Sequence, residues 1–558
     1  MVSPATLNPR SRGWLRHLWR KATTPDDWSR SGEPHPWWDR YSFPPMLSYP
    51  RFDLSESSYA LLIMARKTPA WREAYARILD EMIRRHTTWW AAIDWLTQIG
   101  HDPKRGAYPK AYKSLIPKHL WGQYDVPGWT ANGVEPWGLQ PDPIGAPGNL
   151  FFRGWFNLVL AIYRDVAGTD AWDKPFEMAG LDDQTFSWTH SQINRFLSDQ
   201  WAGVWHGPHC ENTKVWPLCL SAAGLGLQMS DRTLGSEGHW VVDRWIEDFL
   251  KKTCMGFDRR GNLKWVGIYY DPQLDYVHGR NPVGGLFPAF YLAPQNRPFA
   301  EMLYRKAVAS VGWDKAWLPA ITPRGVPRAA TLGYLMAREF GDHTTARRLG
   351  RALDRMSNGR FFNAGEDGED AEAEEFGYFF GFGEAYPRGQ ESALLMLRDV
   401  AEPGDWCAAF NEIDAERHGA PTVEGVDFPR LGICQAANDA ASGVLTVQTY
   451  AATRAASGEP THWRVTNLPD SHDVAVELDG KPFGDWRPLD DHTLEISCRI
   501  AEQVFRIRTG WLSGKEPAQS EGRVALSGRR RASPVSILEI VTARQAVTAG
   551  AAGCPCCA

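Results

Sequence analysis

The feature that most constrains this chain is a recurring unit: an apolar run, a short polar turn, then an amphipathic run. It is read at 59–82, 158–178, 222–249, 289–308 and 331–353, and QESALLMLRDV at 390–400 begins one more. The first run of each unit is apolar all round and rich in small residues, so it predicts a helix buried on most sides. The second carries its charges on one face and predicts an outer helix. Recurrence at irregular spacing, with long segments between units, is the pattern of an α/α toroid with elaborate loops rather than of a strict solenoid. Inner helices would ring a central cavity. The intervening segments 95–148, 201–219 and 255–288, which hold most of the polar and aromatic candidates, would cap one end.

A chain of 558 residues exceeds what one core usually holds, so two folded units are expected. The pattern shifts near 405–430 to period-two alternation: GVLTVQTYAAT, THWRVTNL, VAVELDG, HTLEISCRI and VFRIRTGW. With Asp-Gly and Asn turns between them, these runs predict antiparallel strands. The expected organisation is an extended Pro- and aromatic-rich arm at 1–53, the helical toroid at 54–404, a smaller antiparallel β-sandwich-like domain at 405–516, and a disordered tail from 517 ending in GCPCCA. Within the arm, prolines 34, 36, 44, 45 and 50 oppose a long helix, and the basic stretch Arg10–Arg20 reads as a flexible leader, with a short surface helix as the alternative. The run EDGEDAEAEE at 366–375 reads as a solvated acidic loop, with Glu375, Tyr378 and Glu384 as side chains that would reach the cavity.

Net charge is -5, which argues against a nucleic-acid partner. The sequence has no stretch of about 18 apolar residues and its N-terminus lacks the apolar core of a secretory signal, so no membrane span and a cytoplasmic location are expected. The 27 tryptophans suit either a large aromatic core or a cavity walled by aromatic faces.

Two of the nine cysteines lie in WAGVWHGPHCENTKVWPLCLSAAG at 201–224. Proline and glycine mark its first half as a loop, and PLCLSAAGLGL reads as a buried helix. Cys210 is therefore loop-borne, folding back over the helix end that carries Cys219, so that two thiols face one cavity. Other readings of the same residues are buried small hydrophobes, a disulfide, a thiol–histidine hydrolase with His206 or His209 as base, and zinc on Cys210, Cys219 and His209.

The block NLFFRGWFNLVLAIYRDVAG at 149–168, preceded by DPI at 142–144, resembles bacterial linalool dehydratase-isomerase. So does Cys210-Glu211 with a second cysteine nine positions on, after Trp201-Ala202-Gly203, and so does IYYDP at 268–272. The resemblance covers roughly 50–400. It implies an α/α six-fold barrel and cofactor-free chemistry on a small apolar alcohol, an isoprenoid or a similar molecule, in which water is removed or added, or a tertiary alcohol is isomerised. It implies catalytic roles for Cys210, Cys219 and Tyr270, with Asp39 and His209, and substrate contacts from Trp155, Phe151, Trp205, Trp216, Glu211, Tyr49 and Tyr269. A homo-oligomer is a further expectation. Trp155 stands where the family carries a catalytic histidine, which leaves His206 or His209 to supply that partner. Asp39, Tyr41, Tyr49 and Asp53 compete for the family's N-terminal Asp and Tyr, and the β-rich C-terminal part is an addition.

Two other functions fit the same architecture. A polysaccharide lyase or glycoside hydrolase on an α/α toroid would use carboxylates among Asp39, Glu211, Asp271 and Glu384. A non-catalytic terpenoid-binding protein would need no acid or base, which the tryptophan at position 155 favours.

Overall fold

The computed structural model describes residues 6–26, 28, 35, 38, 50–88, 134–135, 138–139, 142–145, 150–180, 184–210, 214–272, 275–317, 327–363, 373–380, 386–387 and 389–509. All of them fall within Met1–Gly514. The tail expected from 517, with its terminal cysteines, lies outside the described residues.

The chain opens on a helix. In α1 (Pro9–Thr23) the Asn8 side chain accepts from the Ser11 amide at 3.0 Å, and Pro9 takes the first helical position. This corrects the extended arm: the prolines that oppose a helix begin only beyond Thr24, and a cap signature precedes Arg10. Nor is α1 a solvated leader, because Trp14, Leu15 and Leu18 are fully buried.

The helices that follow come in pairs. These are α2 (Pro50–Lys67) with α3 (Glu73–His86), α4 (Leu150–Ala167) with α5 (His190–Gly203), and α6 (Pro217–Leu234) with α7 (Trp240–Trp245). Then come α8 (Leu286–Leu292) with α9 (Arg297–Ser310), α10 (Pro327–Glu339) with α11 (His343–Met356), and α12 (Gly389–Val400) with α13 (Asp405–Asn411). Caps set several starts: Thr189 and Gln192 form a reciprocal capping box at α5, and Asn296 and Asp342 cap α9 and α11. One predicted unit fails in its second half. Residues 169–178 form a 3₁₀ turn, Ala171–Asp173, and strand β1 (Phe176–Ala179), which pairs with β2 (Thr185–Trp188). Gly168 at φ +68 and Pro175 interrupt the periodicity there, and the outer helix is instead α5.

The first helices of the pairs pack on one another. Helix α2 lies against α4 and α12, α4 against α6, α6 against α8, α8 against α10, and α10 against α12. Side chains tie these helices together. Phe52 contacts Phe151 with ring centroids 4.3 Å apart, Trp155 contacts Tyr291 at 5.7 Å, Glu56 pairs with Arg328, and Gly389 lies against Asp53. The α4–α6 crossing is close because it is built from small residues: a Cβ on Gly154 would stand 2.7 Å from the Ala223 Cβ. Gly154→Val should therefore force the two helices apart. The expected loss of about 1–3 kcal/mol, read from the urea midpoint, should outweigh any gain in helix propensity.

Between the pairs lie short hairpins: β3 (Met255–Phe257) with β4 (Leu263–Val266), β5 (Tyr269–Asp271) with β6 (Tyr276–His278), and β7 (Asn358–Phe362) with β8 (Glu375–Phe379). Strand β8 packs against α1. The predicted alternating runs form two antiparallel sheets. One has four strands in the order Thr422–Glu424, Pro460–Thr466, Thr493–Arg499, Trp486–Asp490. The other has five, in the order Leu431–Asp439, Val444–Ala451, Gln503–Thr509, Val474–Leu478, Lys481–Pro482. Trp463 of the first meets Phe505 of the second edge to face at 5.2 Å. Both sheets are tied to the helices: Val423 N donates to Ala70 O (2.7 Å), Ala70 N to Ala436 O (3.1 Å) and Leu7 N to Cys434 O (2.9 Å). The chain is thus mainly α with smaller sheets. Among the described residues no helix is long and apolar enough to cross a membrane.

Candidate active site

The segment after α5 is a loop, as its composition predicts, and main-chain bonds pin it at three places. The His209 carbonyl accepts from the Leu150 amide at 3.1 Å, taking up one of the orphan donors at the start of α4. The Cys210 amide donates to the Lys214 carbonyl at 2.7 Å, closing a turn. Val215 and Tyr270 then exchange both amide–carbonyl bonds, 2.9 and 2.8 Å, which joins the loop to β5. Gly207, at φ +83, lets the loop run against α6: a Cβ there would meet Leu220 at 2.6 Å. Cys210 is fully buried. Cys219 lies in the first turn of α6, only 3% exposed.

Beside Val215 and Tyr270 sits a buried ion pair. Lys214 Nζ is 3.2 Å from Asp271 Oδ2, and both side chains are fully buried. His206 and His209 stack with centroids 5.1 Å apart, and His206 Nδ1 lies 2.7 Å from the Gly207 carbonyl oxygen. Burial first, then the neighbouring His206, Lys214 and Arg153, push the His209 imidazole down to about 3. Burial likewise lowers His206. Both imidazoles are therefore neutral at neutral pH, available to accept a proton or a hydrogen bond.

Tyr270 is buried among Phe249 (5.3 Å), His206 (6.2 Å) and Trp205 (6.4 Å). Its hydroxyl donates to Asp275 Oδ1 at 2.9 Å. Burial, then this carboxylate, raise its pKa, so the phenol keeps its proton. Tyr269 points to a second cluster, tilted on Trp216 at 4.9 Å and stacked on His278 at 4.5 Å. Phe151 and Trp155 stack on each other at 4.2 Å on α4, whose first residue is the one bonded to His209. Main-chain contacts thus bring the Cys210 loop, β5 and the aromatic start of α4 together. Trp205 is 54% exposed. Asp39, Tyr41, Tyr49, Glu211 and Glu384 lie outside the described residues.

Several candidates have other employment. Asp53 opens α2 and is buried against Lys21. Glu375 bonds His17 at 2.9 Å and Arg20 at 2.8 Å, so it anchors α1, and Tyr378 donates to Asp399 at 2.5 Å. Asp271 is paired with Lys214. Sequence reading missed Lys214, Phe249 and the buried set Glu56, Arg328, Tyr59 and Tyr291 at the meeting of the inner helices. The apolar runs at those positions gave no local signal that a charge pair was buried among them. A cavity of about 740 Å3 opens between the ends of α1 and α3 and the β1–β2 turn. Its wall includes Asp26, Glu81, Arg84 and Arg85 and neither cysteine, so it is not the apolar chamber expected from the tryptophan content. Among the described residues no group of three or more His, Cys, Asp or Glu is placed to hold a metal ion.

One comparison covers the span that holds both cysteines and Tyr270. Residues 118–367 match the linalool dehydratase/isomerase family. The family segment includes Phe151, Trp155, Trp205, His209, Cys210, Trp216, Cys219, Tyr269 and Tyr270; the N-terminal candidates Asp39 and Tyr49 precede it. No curated protein matches the chain. Among solved structures, an endoglucanase CelQ from Clostridium thermocellum complexed with cellotriose aligns at 12% identity over 84% of this chain and 85% of that one, with a TM-score of 0.27. A GH127 beta-L-arabinofuranosidase from Geobacillus stearothermophilus T6 aligns at 9% identity over 89% and 75%, with a TM-score of 0.22. Superpositions this loose carry no argument about fold or substrate.

Proposed function

We propose that the chain is a cofactor-independent hydro-lyase or isomerase acting on an isoprenoid or similar apolar alcohol. The observation that carries this reading is the family match over a segment whose Cys210 loop is hydrogen-bonded to the Tyr270 strand. The proposed frame is an α/α six-fold barrel followed by a β-rich unit; the boundaries expected at 54 and 404 move outward, because α2 begins at Pro50 and α13 ends at Asn411. The succession of inner-helix contacts from α2 through α4, α6, α8, α10 and α12 back to α2 supports it.

Dehydration needs a proton for the departing hydroxyl and an acceptor for the proton on the adjacent carbon. The C–O bond breaks to give water and an allylic cation, and loss of that proton gives the alkene. Return of water at the far end of the cation gives the isomerised alcohol. Cys210 and Cys219 are the proposed proton carriers, buried where water competes least. Tyr270, its own proton held by Asp275, would orient the substrate hydroxyl by accepting its hydrogen bond, and neutral His209 is the proposed stand-in for the family histidine displaced by Trp155. Aromatic faces at Phe151, Trp155 and Trp216 would stabilise cation character by about 0.5–2 kcal/mol per contact.

Purified chain incubated with linalool should yield alkene or rearranged alcohol by gas chromatography. Cys210→Ala and Cys219→Ala should each reduce that rate by about 100-fold or more while leaving thermal unfolding unchanged. Unchanged turnover in both would end the thiol mechanism. Thermal stabilisation by linalool without turnover would identify a terpenoid-binding protein instead.

A further inference from the structure

We propose that Lys214 and Asp271 form a register lock: a buried cross-strand charge pair that sets the Cys210 loop at one fixed position along the Tyr270 strand. This rests on reading Cys210 and Tyr270 as catalytic, and it makes Lys214 and Asp271 positioning residues for them.

The argument starts from the pairing. Val215 and Tyr270 are antiparallel partners that exchange both main-chain bonds. In such a ladder the residue before one partner stands opposite the residue after the other, which places Lys214 opposite Asp271. Their charged atoms are 3.2 Å apart and neither side chain is exposed. Sliding the loop by one residue would separate two buried charges and turn every side chain to the other face. An apolar pair of the same size would fill the space without that penalty, so the ions specify position more than they add stability. Register matters here because the Cys210 amide is bonded to the Lys214 carbonyl, so wherever Lys214 stands, Cys210 follows. The same lock holds Tyr270, whose hydroxyl is committed to Asp275.

The test is the full-length double variant K214M/D271L beside wild type, K214R and C210A. The lock predicts that K214M/D271L unfolds within a few degrees of wild type, while amide hydrogen exchange at Val215 and Tyr270 quickens at least tenfold and exchange in α4 and α6 does not change. It predicts a kcat on linalool at least tenfold lower with little change in KM, and near-normal values of both in K214R. Unaltered exchange at Val215 and Tyr270 overturns the lock, whatever the activity does, since that readout needs no substrate. Faster exchange with an unaltered kcat overturns its role in catalysis. Full activity in C210A defeats the functional reading and leaves the exchange result to judge the lock by itself.

Discussion

Replacing Glu56 by alanine should lower the stability of the folded chain by about 3–5 kcal/mol, among the largest losses expected from one substitution here. Glu56 is fully buried on α2 and pairs with Arg328 at the start of α10; one of the two bonds measures 3.1 Å. It also accepts from the Tyr291 hydroxyl at 3.1 Å, and Tyr291 lies 3.4 Å from the Tyr59 hydroxyl. Burial raises the Glu56 pKa, and Arg328 opposes that rise. Truncation therefore strands a guanidinium and a phenol where water cannot replace the lost oxygen atoms. Glu391, whose field also acts on Arg328, limits the loss. The double variant E56L/R328M should recover part of it, because the guanidinium goes together with its carboxylate, while Glu391 loses the field of Arg328. Urea midpoints of the two variants decide the matter: equal midpoints for E56A and wild type would mean the pair is not sealed from solvent.

Acid should destabilise the protein well before its carboxylates titrate. Burial lowers His86 to about 4, His190 to about 3 and His209 to about 3. In the unfolded chain each histidine titrates near 6.5. Above that value both states hold neutral imidazoles, and these groups give no pH dependence. Between about pH 6.5 and pH 4 the unfolded chain binds protons that the folded chain refuses, so stability falls as pH falls. The slope approaches about 1.4 kcal/mol per pH unit for each group. Together with His418, which burial also lowers to about 4, these groups would remove several kcal/mol between pH 7 and pH 5. Thermal unfolding temperatures across that range should drop steeply and stay flat from pH 7 to 8. His190→Asn should make the slope shallower, since one of the refusing groups is gone. A profile flat to pH 5 would place these imidazoles in contact with water.

The helical pairs were legible because burial imposes a period on apolar residues, and that period survives without coordinates. The alternating strands of the C-terminal sheets were legible for the same reason. Helix α1 is legible only as the lesser reading of Arg10–Arg20: Asn8-Pro9 carries its start signal, but the basic residues suit a solvated surface and its burial is set by tertiary packing. The outer helix placed at 169–178 failed because Gly168 and Pro175 are local breaks that a coarse repeat overrides. At the candidate site, spacing located the Cys210 loop and its neighbours in sequence. It could not find Lys214 opposite Asp271, which are 57 positions apart and matched only by the pairing of Val215 with Tyr270.

Residue pattern alone settled which segments become helix or strand, and which stretch carries the thiols, since propensity, capping and periodicity act over a few neighbouring residues. Tertiary structure alone decided which charges are sealed together and in what register the Cys210 loop meets its strand. It also decided that Glu375 holds α1 through His17 and Arg20. Those outcomes turn on desolvation and on partners brought close by packing, and neither quantity exists until the chain has closed on itself.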